Sequence, residues 1–366
     1  MDDIFQKYIQ RHLAIQKDCK GECAGDNDNC EKCRVIAAHR DLREKLKERL
    51  SIMEEVDSSG DEDIYSFLTG SYKRGTIIRP PKDVDFFNVL KEDDYKDFTP
   101  SEALNILYAA LTDIYPDKEA AGEIRPQTHS ITVVYSDTFS IDVIPAFEDG
   151  KTYRIPHVPL PGQGEEKWLI SNPKVHEEIV HEANEKTGGK LIPIIKLIKD
   201  WKRTKCKPKN ISVTSFHLEL LATQILGSEE IESLDTGLAQ FFGQAINFMD
   251  EACVRDPANT DNLVDDNLTD GEREEMKALL TSEAKIAEEA VQAEQDGERD
   301  EAIVKWEQVF ISAEFHSVTQ EKEASRMVEA LQTGNLYQTD EMSELTILPT
   351  KNETDRRIPR TSSWGE

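Results

Sequence analysis

The sequence predicts an α+β fold in which a mixed β-sheet is followed by a mostly helical lobe. Short runs rich in β-branched and aromatic residues occupy 64–68, 83–90, 130–135 and 139–147, and such runs are typical of strands. From residue 191 onward, apolar residues recur at helical spacing in several longer segments, which predicts helices. Strands in one part of the chain and helices in the next favour an α+β class over an alternating α/β one.

Length and charge limit the classes of protein to which the chain can belong. Its 366 residues suffice for one large domain or two fused ones. Forty-four Lys and Arg residues against 72 Asp and Glu residues give a net charge of −28. Because such a surface repels nucleic acids and anionic membranes, we expect stable binding to neither.

Neither a membrane-spanning stretch nor a secretory leader is apparent in the sequence. No segment approaches about 18 consecutive apolar residues, and the first residues lack the pattern of a signal peptide. We therefore expect a cytosolic protein whose thiols are reduced.

The chain divides into four segments by the residues that dominate each. Apolar residues at helical spacing predict helices over 3–16 and 34–57, and the polar stretch at the end of the chain predicts a flexible tail. The predicted segments are N-terminal helices with a cysteine cluster at 1–57, a catalytic core at 58–167, a helical C-terminal lobe at 168–337 and a flexible tail at 338–366.

Four of the six cysteines lie within fifteen residues near the start of the chain. They are Cys19, Cys23, Cys30 and Cys33, and their spacing fits two pairs of ligands for a structural Zn²⁺. The alternative is a polar loop in which the cysteines have no shared role.

Two aspartates flank Val84 at the start of the predicted strand 83–90. In a strand, residues two apart point to the same side, so Asp83 and Asp85 are expected to repel each other unless a cation lies between them. Mg²⁺ or Mn²⁺ suits such a site, since hard cations prefer carboxylate oxygens and substrate phosphates. Asp142, inside the apolar strand 139–147, is the candidate third ligand and proton acceptor; the alternative is a buried aspartate with satisfied hydrogen bonds.

The segment before the aspartates contains a turn suited to phosphate. Gly70 allows the backbone to approach a ligand closely, and Ser71 with the amides behind it can hold phosphate oxygens. Together with the aspartates, this pattern indicates phosphoryl-transfer chemistry, in which two metal ions about 3.5–4 Å apart clamp the attacking and leaving oxygens.

Gly70-Ser71, Asp83-Val84-Asp85 and Asp142 resemble the signature of polymerase-beta-type nucleotidyltransferases. More narrowly, residues 40–330 are similar to the bacterial cGAS/DncV-like nucleotidyltransferases of anti-phage signalling systems. The resemblance implies a two-lobed fold with a mixed sheet and a helical C-terminal lobe, and a long N-terminal helix that braces both lobes.

The resemblance also assigns nucleotide contacts in the second half of the chain. It places a phosphate-binding lysine on the helix 191–203, where Lys196 fits best and Lys199 second; the alternative is a solvated basic face. It implies that Ser215 touches the donor triphosphate and that Phe216 stacks on the base, whereas the alternative for Phe216 is core packing.

What the resemblance implies about activity is nucleotidyl transfer between nucleoside triphosphates, with ATP among them. Repetition of that transfer makes a cyclic di- or trinucleotide second messenger that signals phage infection to a separate effector. The resemblance further implies regulatory protein partners, including enzymes that modify the C-terminal residue of some relatives.

Two other hypotheses remain open at the level of sequence. One is a different polymerase-beta-type nucleotidyltransferase, such as a tRNA-tailing or antibiotic-modifying enzyme, although the acidic surface weighs against tRNA. The other is a nucleotide-binding protein without catalytic activity. The presence of all three aspartates and of Gly70-Ser71 weighs against it.

Overall fold

The computed structural model describes residues 1–16, 30–53, 65–162, 164–332, 336–339 and 345–348. The chain forms two compact units, Met1–Ser312 and Ala313–Glu366. The first unit contains a seven-stranded mixed sheet and most of the helices.

The strands of the described residues include the four that the sequence predicts. The strands are β1 (Ser66–Leu68), β2 (Val84–Val89), β3 (Ile124–Pro126), β4 (Ile131–Ser136), β5 (Phe139–Asp149), β6 (Thr152–His157), β7 (Lys167–Ser171), β8 (Arg255–Asp256), β9 (Asn259–Leu263), β10 (Leu336–Thr339) and β11 (Leu345–Leu348). The predicted strands correspond to β1, β2, β4 and β5, and the mixed sheet is confirmed. Strands β6 and β7 were not recognised in the sequence.

Five strands of the large sheet run in the order β1-β2-β5-β4-β3, and β6 and β7 extend it from the far end of β5. Strands β2 and β5 are parallel, and the other neighbours are antiparallel. Because β5 is eleven residues long, its first part pairs with β2 and β4 while its last part pairs with β6.

The α-helices of the described residues come before, between and after these strands in the chain. They are α1 (Asp2–Tyr8), α2 (Glu31–Lys47), α3 (Gly70–Lys73), α4 (Glu92–Tyr95), α5 (Pro100–Ile114), α6 (Pro116–Ala120), α7 (Pro173–Lys186), α8 (Leu191–Trp201), α9 (Ser215–Leu226), α10 (Leu234–Ala245), α11 (Asp270–Gln295), α12 (Arg299–Val309) and α13 (Ala313–Gln332). A π-helical turn continues α1 over Ile9–Leu13, and another continues α8 over Lys202–Cys206.

The two faces of the central strands have different surroundings because side chains alternate along a strand. Phe86 belongs to the large apolar core that α2 and α5 complete. Phe87 and Ile144 belong to a smaller cluster on the opposite face. Asp85 and Asp142 share the parity of Phe87 and Ile144, so the carboxylates lie on the face away from α2 and α5.

The N-terminal helix α1 packs against the helical region. Phe5 contacts the rings of Trp306 and Phe310 edge-on, with centroids 5.2 and 5.7 Å away. The Tyr8 hydroxyl donates a 2.7 Å hydrogen bond to the buried Asp200 of α8. The first helix thus stabilises α8, which carries Lys196 and Lys199.

The predicted long helix over 34–57 is wrong in its second half. Helix α2 ends at Lys47, and Ile52 forms an antiparallel bridge with Leu90. The main chain of Ser51 and Met53 hydrogen-bonds the main chain of Lys91 and Val89. Ile52, which fits a helical pattern in the sequence, is therefore buried by pairing with the sheet. Residues 54–57 lie outside the described residues.

The second unit also departs from the prediction of a flexible tail at 338–366. Helix α13 is followed by β10 and β11, which pair antiparallel with Leu336 opposite Leu348 and Tyr337 opposite Ile347. The rest of the predicted tail lies outside the described residues.

None of the helices formed by the described residues is long and apolar enough to cross a membrane.

Candidate active site

The turn between β1 and α3 presses backbone against one of the aspartates. Gly70 adopts the left-handed conformation, with φ of 63°, and a Cβ added there would lie 1.7 Å from Oδ2 of Asp85. Any other residue would therefore strain the backbone and displace the carboxylate. The Ser71 carbonyl accepts hydrogen bonds from the N–H groups of Thr76 and Ile77, both at 2.9 Å, and this closes the turn.

Asp85 and Asp142 stand directly opposite each other on parallel strands. Their Cα atoms are register partners between β2 and β5. On the other side of β5, Thr132 of β4 is the register partner of Asp142 and donates its hydroxyl to Oδ1 of that carboxylate. Strand pairing therefore fixes the separation and the direction of both aspartates.

Asp83 joins the site by a different route from the one predicted. Pairing with β5 starts at Val84, so Asp83 precedes the strand and lies in the left-handed region with φ of 58°. Its N–H donates a 3.1 Å hydrogen bond to Oγ of Ser140. The same-face argument for two strand residues was wrong in this detail, because a turn rather than strand alternation places Asp83.

Burial and mutual repulsion disfavour the ionised forms of two of these aspartates. Burial, and then the charge of Asp142, raise the pKa of Asp85 from 3.8 to about 7, although the Arg74 guanidinium opposes the shift. Burial also raises the pKa of Asp142, against the hydrogen bond from Thr132. The site therefore contains negative charge that the surrounding side chains do not fully balance.

This donor set fits a divalent cation of the hard type. Among the described residues, no three acidic, histidine or cysteine side chains enclose a metal ion by themselves. Mg²⁺ does not require such a cage, because it is held by one or two carboxylates together with waters and substrate phosphates. Uncompensated carboxylate oxygens beside a phosphate-sized space match that requirement.

Two clefts meet at Asp83, Asp85 and Arg74, each of which lines both. The polar cleft has a volume of about 590 Å³ and is also lined by Gly70, Asp142 and the β3–β4 turn. The basic cleft has a volume of about 400 Å³ and is also lined by Lys199 and Arg203. Asp83 and Asp85 thus lie between the polar cleft, which has few cationic side chains, and the basic cleft, which has several.

Most of the predicted nucleotide contacts line the basic cleft. Ser71, Lys199, Ser215 and Phe216 are all brought to it. Lys196 is half-buried on α8 and lines neither of the two clefts. Of the two lysines that the resemblance ranks on this helix, the second-ranked Lys199 therefore reaches the basic cleft and Lys196 does not.

A buried ionic network under the basic cleft was not foreseen from the sequence. Glu219 of α9 is 1% exposed and accepts hydrogen bonds from the Arg74 guanidinium, from Thr76 Oγ1 at 2.8 Å and from Lys199 Nζ at 2.7 Å. Lys199 also donates to the Thr76 carbonyl at 3.1 Å. Burial alone would raise the pKa of Glu219, but Lys199 and Arg74 lower it to about 2.

This network joins the Gly70 turn to the helical lobe and leaves an excess of one positive charge. One glutamate balances one of the two cations, and the charge of Arg74 also acts on Asp85. The sequence contains a usable signal, since Lys199 and Glu219 lie on apolar helices where an unpaired charge would be costly. Their partners come from a distant turn, which no local pattern identifies.

Aromatic contacts fix the wall that the two clefts share. The Arg74 guanidinium carbon lies 5.7 Å from the Phe216 ring centroid, and His176 contacts the same ring at 5.0 Å. His176 Nε2 is 2.6 Å from Oδ1 of Asp256, in the β8–β9 hairpin. His217, by contrast, is fully buried, and burial lowers its pKa to about 4.

The cysteine cluster is only partly within the described residues. Cys30 and Cys33 are buried at the start of α2, whereas Cys19 and Cys23 lie outside the described residues. The structural zinc site stays a prediction.

Comparisons with known proteins find similarity both in sequence and in fold. Residues 31–184 match the family described as the Second Messenger Oligonucleotide or Dinucleotide Synthetase domain. The chain is 28% identical over 321 residues to a cyclic AMP-AMP-AMP synthase of an Acinetobacter strain, covering 82% of this chain and 83% of that protein.

Solved structures share the fold. The E. coli MS115-1 protein CdnC, solved with ATP, aligns with a TM-score of 0.64 at 16% identity, over 86% of this chain and 98% of that chain. The same CdnC has been solved in a complex with HORMA-deltaN, which aligns with a TM-score of 0.61 at 17% identity, over 84% of this chain and 96% of that chain.

Replacing Asp85 with Asn is expected to stabilise the metal-free protein, and more so at higher pH. The folded-state pKa of about 7 lies above 3.8, so the folded wild type binds more protons than the unfolded chain between those values. Wild-type stability therefore falls as the pH rises through that window, whereas the variant lacks this loss.

Calorimetric melting temperatures in chelator, measured from about pH 5 to about pH 8, test this expectation. The gain should be largest at the upper end and shrink toward the lower end. Asp137→Asn, on the exposed β4–β5 turn, is the matched control. Parallel pH profiles for Asp85→Asn and wild type would contradict the assignment.

Replacing Glu219 with Gln is expected to destabilise the fold by about 3–5 kcal/mol, because it leaves two buried cations without their shared partner. Urea unfolding measures the loss. Glu185→Gln, exposed on α7, should change stability by less than about 0.5 kcal/mol. A Glu219→Gln variant as stable as this control would show that the network is not needed for folding.

Proposed function

We propose that this chain, a nucleotidyltransferase of the bacterial cGAS/DncV-like family, joins nucleoside triphosphates into a cyclic di- or trinucleotide second messenger. The observation that carries the proposal is the in-register pair Asp85 and Asp142 at the junction of two clefts. One cleft suits a triphosphate, and the other suits the hydroxyl that attacks it.

The donor triphosphate is assigned to the basic cleft. Its lining includes Ser71 and the cations Arg74 and Lys199. A hydroxyl and a guanidinium bind phosphate oxygens through hydrogen bonds, and both cations attract the phosphate charge. Phe216 presents a ring at the same cleft, which suits stacking of the donor base. On α8, Lys199 rather than Lys196 is proposed to attract the phosphates through its charge, because it lines the cleft while its three N–H groups bond Thr76 and Glu219.

The acceptor nucleotide is assigned to the polar cleft, because Asp142 lines that cleft and does not line the basic one. The raised pKa of Asp142 makes it a stronger base than an exposed aspartate. It accepts the proton of the ribose hydroxyl as the oxygen attacks the α-phosphorus. Thr132 holds the receiving carboxylate in place through its hydrogen bond to Oδ1.

Pyrophosphate leaves on the side of the basic cleft, where positive side chains stabilise the charge that develops on it. Enzymes of this family use divalent metal ions. We propose Mg²⁺ or Mn²⁺ held by Asp83, Asp85 and Asp142, and the ion when bound neutralises phosphate charge and lowers the pKa of the attacking hydroxyl. The charge of Arg74 lowers the pKa of Asp85 and so limits the repulsion among the carboxylates.

ATP is the proposed substrate, since the curated relative is a cyclic AMP-AMP-AMP synthase and CdnC is solved with ATP. The product is proposed to signal phage infection to a separate effector. The relatives found favour neither a tRNA-tailing nor an antibiotic-modifying enzyme. Because its substrate is a free nucleotide, we place the enzyme in the cytoplasm.

Regulatory proteins are proposed partners, because CdnC forms a complex with HORMA-deltaN. Modification of the C-terminal Glu366 by another enzyme remains a further proposal, and that residue lies outside the described ones. We also retain a structural Zn²⁺ at Cys19, Cys23, Cys30 and Cys33 as a proposal.

Incubation of the purified enzyme with ATP and Mg²⁺ tests the function directly. Mass spectrometry should detect a cyclic oligoadenylate, and pyrophosphate should be released in step with it. Asp142→Asn should slow pyrophosphate release by about 10²–10⁴-fold through loss of the base, and Asp83→Ala and Asp85→Ala should abolish it.

Asp137→Asn provides the control for this assay, since it removes a carboxylate from the same hairpin without touching either cleft. It should retain wild-type turnover. Linear products alone, or full turnover in the Asp142→Asn variant, would refute the proposed reaction.

Ser71→Ala should weaken ATP binding about ten- to a hundredfold, because a hydrogen bond to a charged group contributes about 1.5–3 kcal/mol. Lys196→Ala should change the affinity by less than about twofold, since Lys196 lines neither cleft. Titration calorimetry with ATP measures both. The reverse order of effects would return the phosphate contact to Lys196.

A further inference from the structure

The β3–β4 turn, residues 127–130, forms one edge of the polar cleft. The Gln127 N–H donates to the Ser130 carbonyl at 2.8 Å, which closes the turn. The Val158 N–H donates to the Thr128 carbonyl at 2.8 Å and ties the turn to the end of β6. The turn therefore holds its side chains at a fixed distance from the sheet.

The side chain of His129 is oriented by a second bond to the same strand. Its Nδ1 lies 2.9 Å from the Pro156 carbonyl oxygen. A carbonyl oxygen only accepts hydrogen bonds, so Nδ1 carries the hydrogen. The His157 ring packs against His129 with a centroid distance of 4.9 Å and restricts its rotation.

The other nitrogen of His129 is consequently a hydrogen-bond acceptor. Burial lowers the pKa of His129 below 6.5, so the imidazole is neutral near neutral pH. A neutral imidazole with its hydrogen on Nδ1 has a lone pair on Nε2. The residue lines the polar cleft, where Nε2 is the polar atom not used by Pro156.

We propose that His129 selects the base of the acceptor nucleotide by accepting a hydrogen bond at Nε2 from the exocyclic amino group of adenine. The assignment rests on the proposed function, which places the acceptor nucleotide in the polar cleft. Adenine and cytosine carry an amino donor at the equivalent ring position, whereas guanine and uracil carry an oxygen acceptor. An acceptor facing the lone pair of Nε2 is disfavoured, so the turn favours amino bases over oxo bases.

Replacing His129 with Asn tests the role of Nε2 without disturbing the hydrogen bond that Nδ1 makes. In His129→Asn, the amide nitrogen occupies the place of Nδ1 and retains the bond to Pro156, while the acceptor at the Nε2 position is lost. His181→Asn, on the exposed surface of α7, removes an imidazole that lines neither cleft and serves as the matched control.

The substrates are ATP, purine riboside triphosphate, which lacks only the 6-amino group, and inosine triphosphate, which has an oxygen there. The rate of pyrophosphate release gives kcat/KM for each. Wild type and His181→Asn should prefer ATP over purine riboside triphosphate by about tenfold, the effect of one hydrogen bond, and should use inosine triphosphate least.

His129→Asn should use ATP and purine riboside triphosphate within about twofold of each other. The inference is overturned if the variant keeps the wild-type preference, or if wild type shows no preference between the two. The order of the three substrates on wild type needs no variant, so the inference remains testable if His129→Asn does not fold.

Failure of the proposed function is distinguishable from failure of this inference. If wild type releases no pyrophosphate from ATP, the proposed reaction fails. Calorimetric binding of adenosine and purine riboside, which lack the phosphates that the basic cleft attracts, to wild type and to His129→Asn then decides the role of His129 separately. Equal affinities of wild type for the two nucleosides would overturn it.

Discussion

Two carboxylates fixed side by side on parallel strands are the constraint on which the rest of the site depends. Asp85 and Asp142 are held at register positions that cannot separate without breaking the pairing of β2 with β5, and the Asp85 carboxylate occupies the space that any side chain at position 70 would fill. The repulsion raises the pKa of Asp85. The charge of Arg74 relieves part of this repulsion, and the proposed divalent cation would relieve more of it. A fold that retains a destabilised pair of this kind is typical of an active site.

Arg74 explains how a protein of net charge −28 presents a positive cleft to a polyanion. Glu219 binds Arg74 and Lys199 together below the surface, so the cations are fixed without solvent-exposed counterions. Repulsion between the acidic exterior and a nucleotide is screened beyond about 8–10 Å at physiological salt, whereas the buried cations act at contact distance. Under the proposed function, the local arrangement decides nucleotide binding, and the overall charge is expected to disfavour long nucleic acids.

The parts of the fold predicted from the sequence are those that depend on local pattern. The strands β2 and β5 are apolar runs, and the turn at Gly70 is specified by a residue that tolerates positive φ. Pattern fails where tertiary pairing overrides it: Ile52 fits a helical stripe but is buried against Leu90 of the sheet. The Glu219 network and the bond of His129 to Pro156 join segments far apart in sequence, so their partners could not be read from spacing. Lys196 and Lys199 differ by less than one helical turn, and only the packing of α8 decides which one reaches the cleft.

The difference in charge between the two clefts also bears on how one site can perform successive transfers, if the proposed function holds. A triphosphate is attracted to the cleft with Lys199, Arg203 and Arg74, whereas the polar cleft offers Arg74 alone among these cations and adds a third carboxylate, Asp142. A ribose hydroxyl and a neutral base bind in the polar cleft without the repulsion that its carboxylates exert on a triphosphate. A linear intermediate that retains its 5′ triphosphate is therefore oriented by the same preference as ATP, with its triphosphate end toward Lys199 and its free hydroxyl toward Asp142. In that orientation ring closure needs the same carboxylates as the first transfer, so repeated synthesis and cyclisation require no second active site.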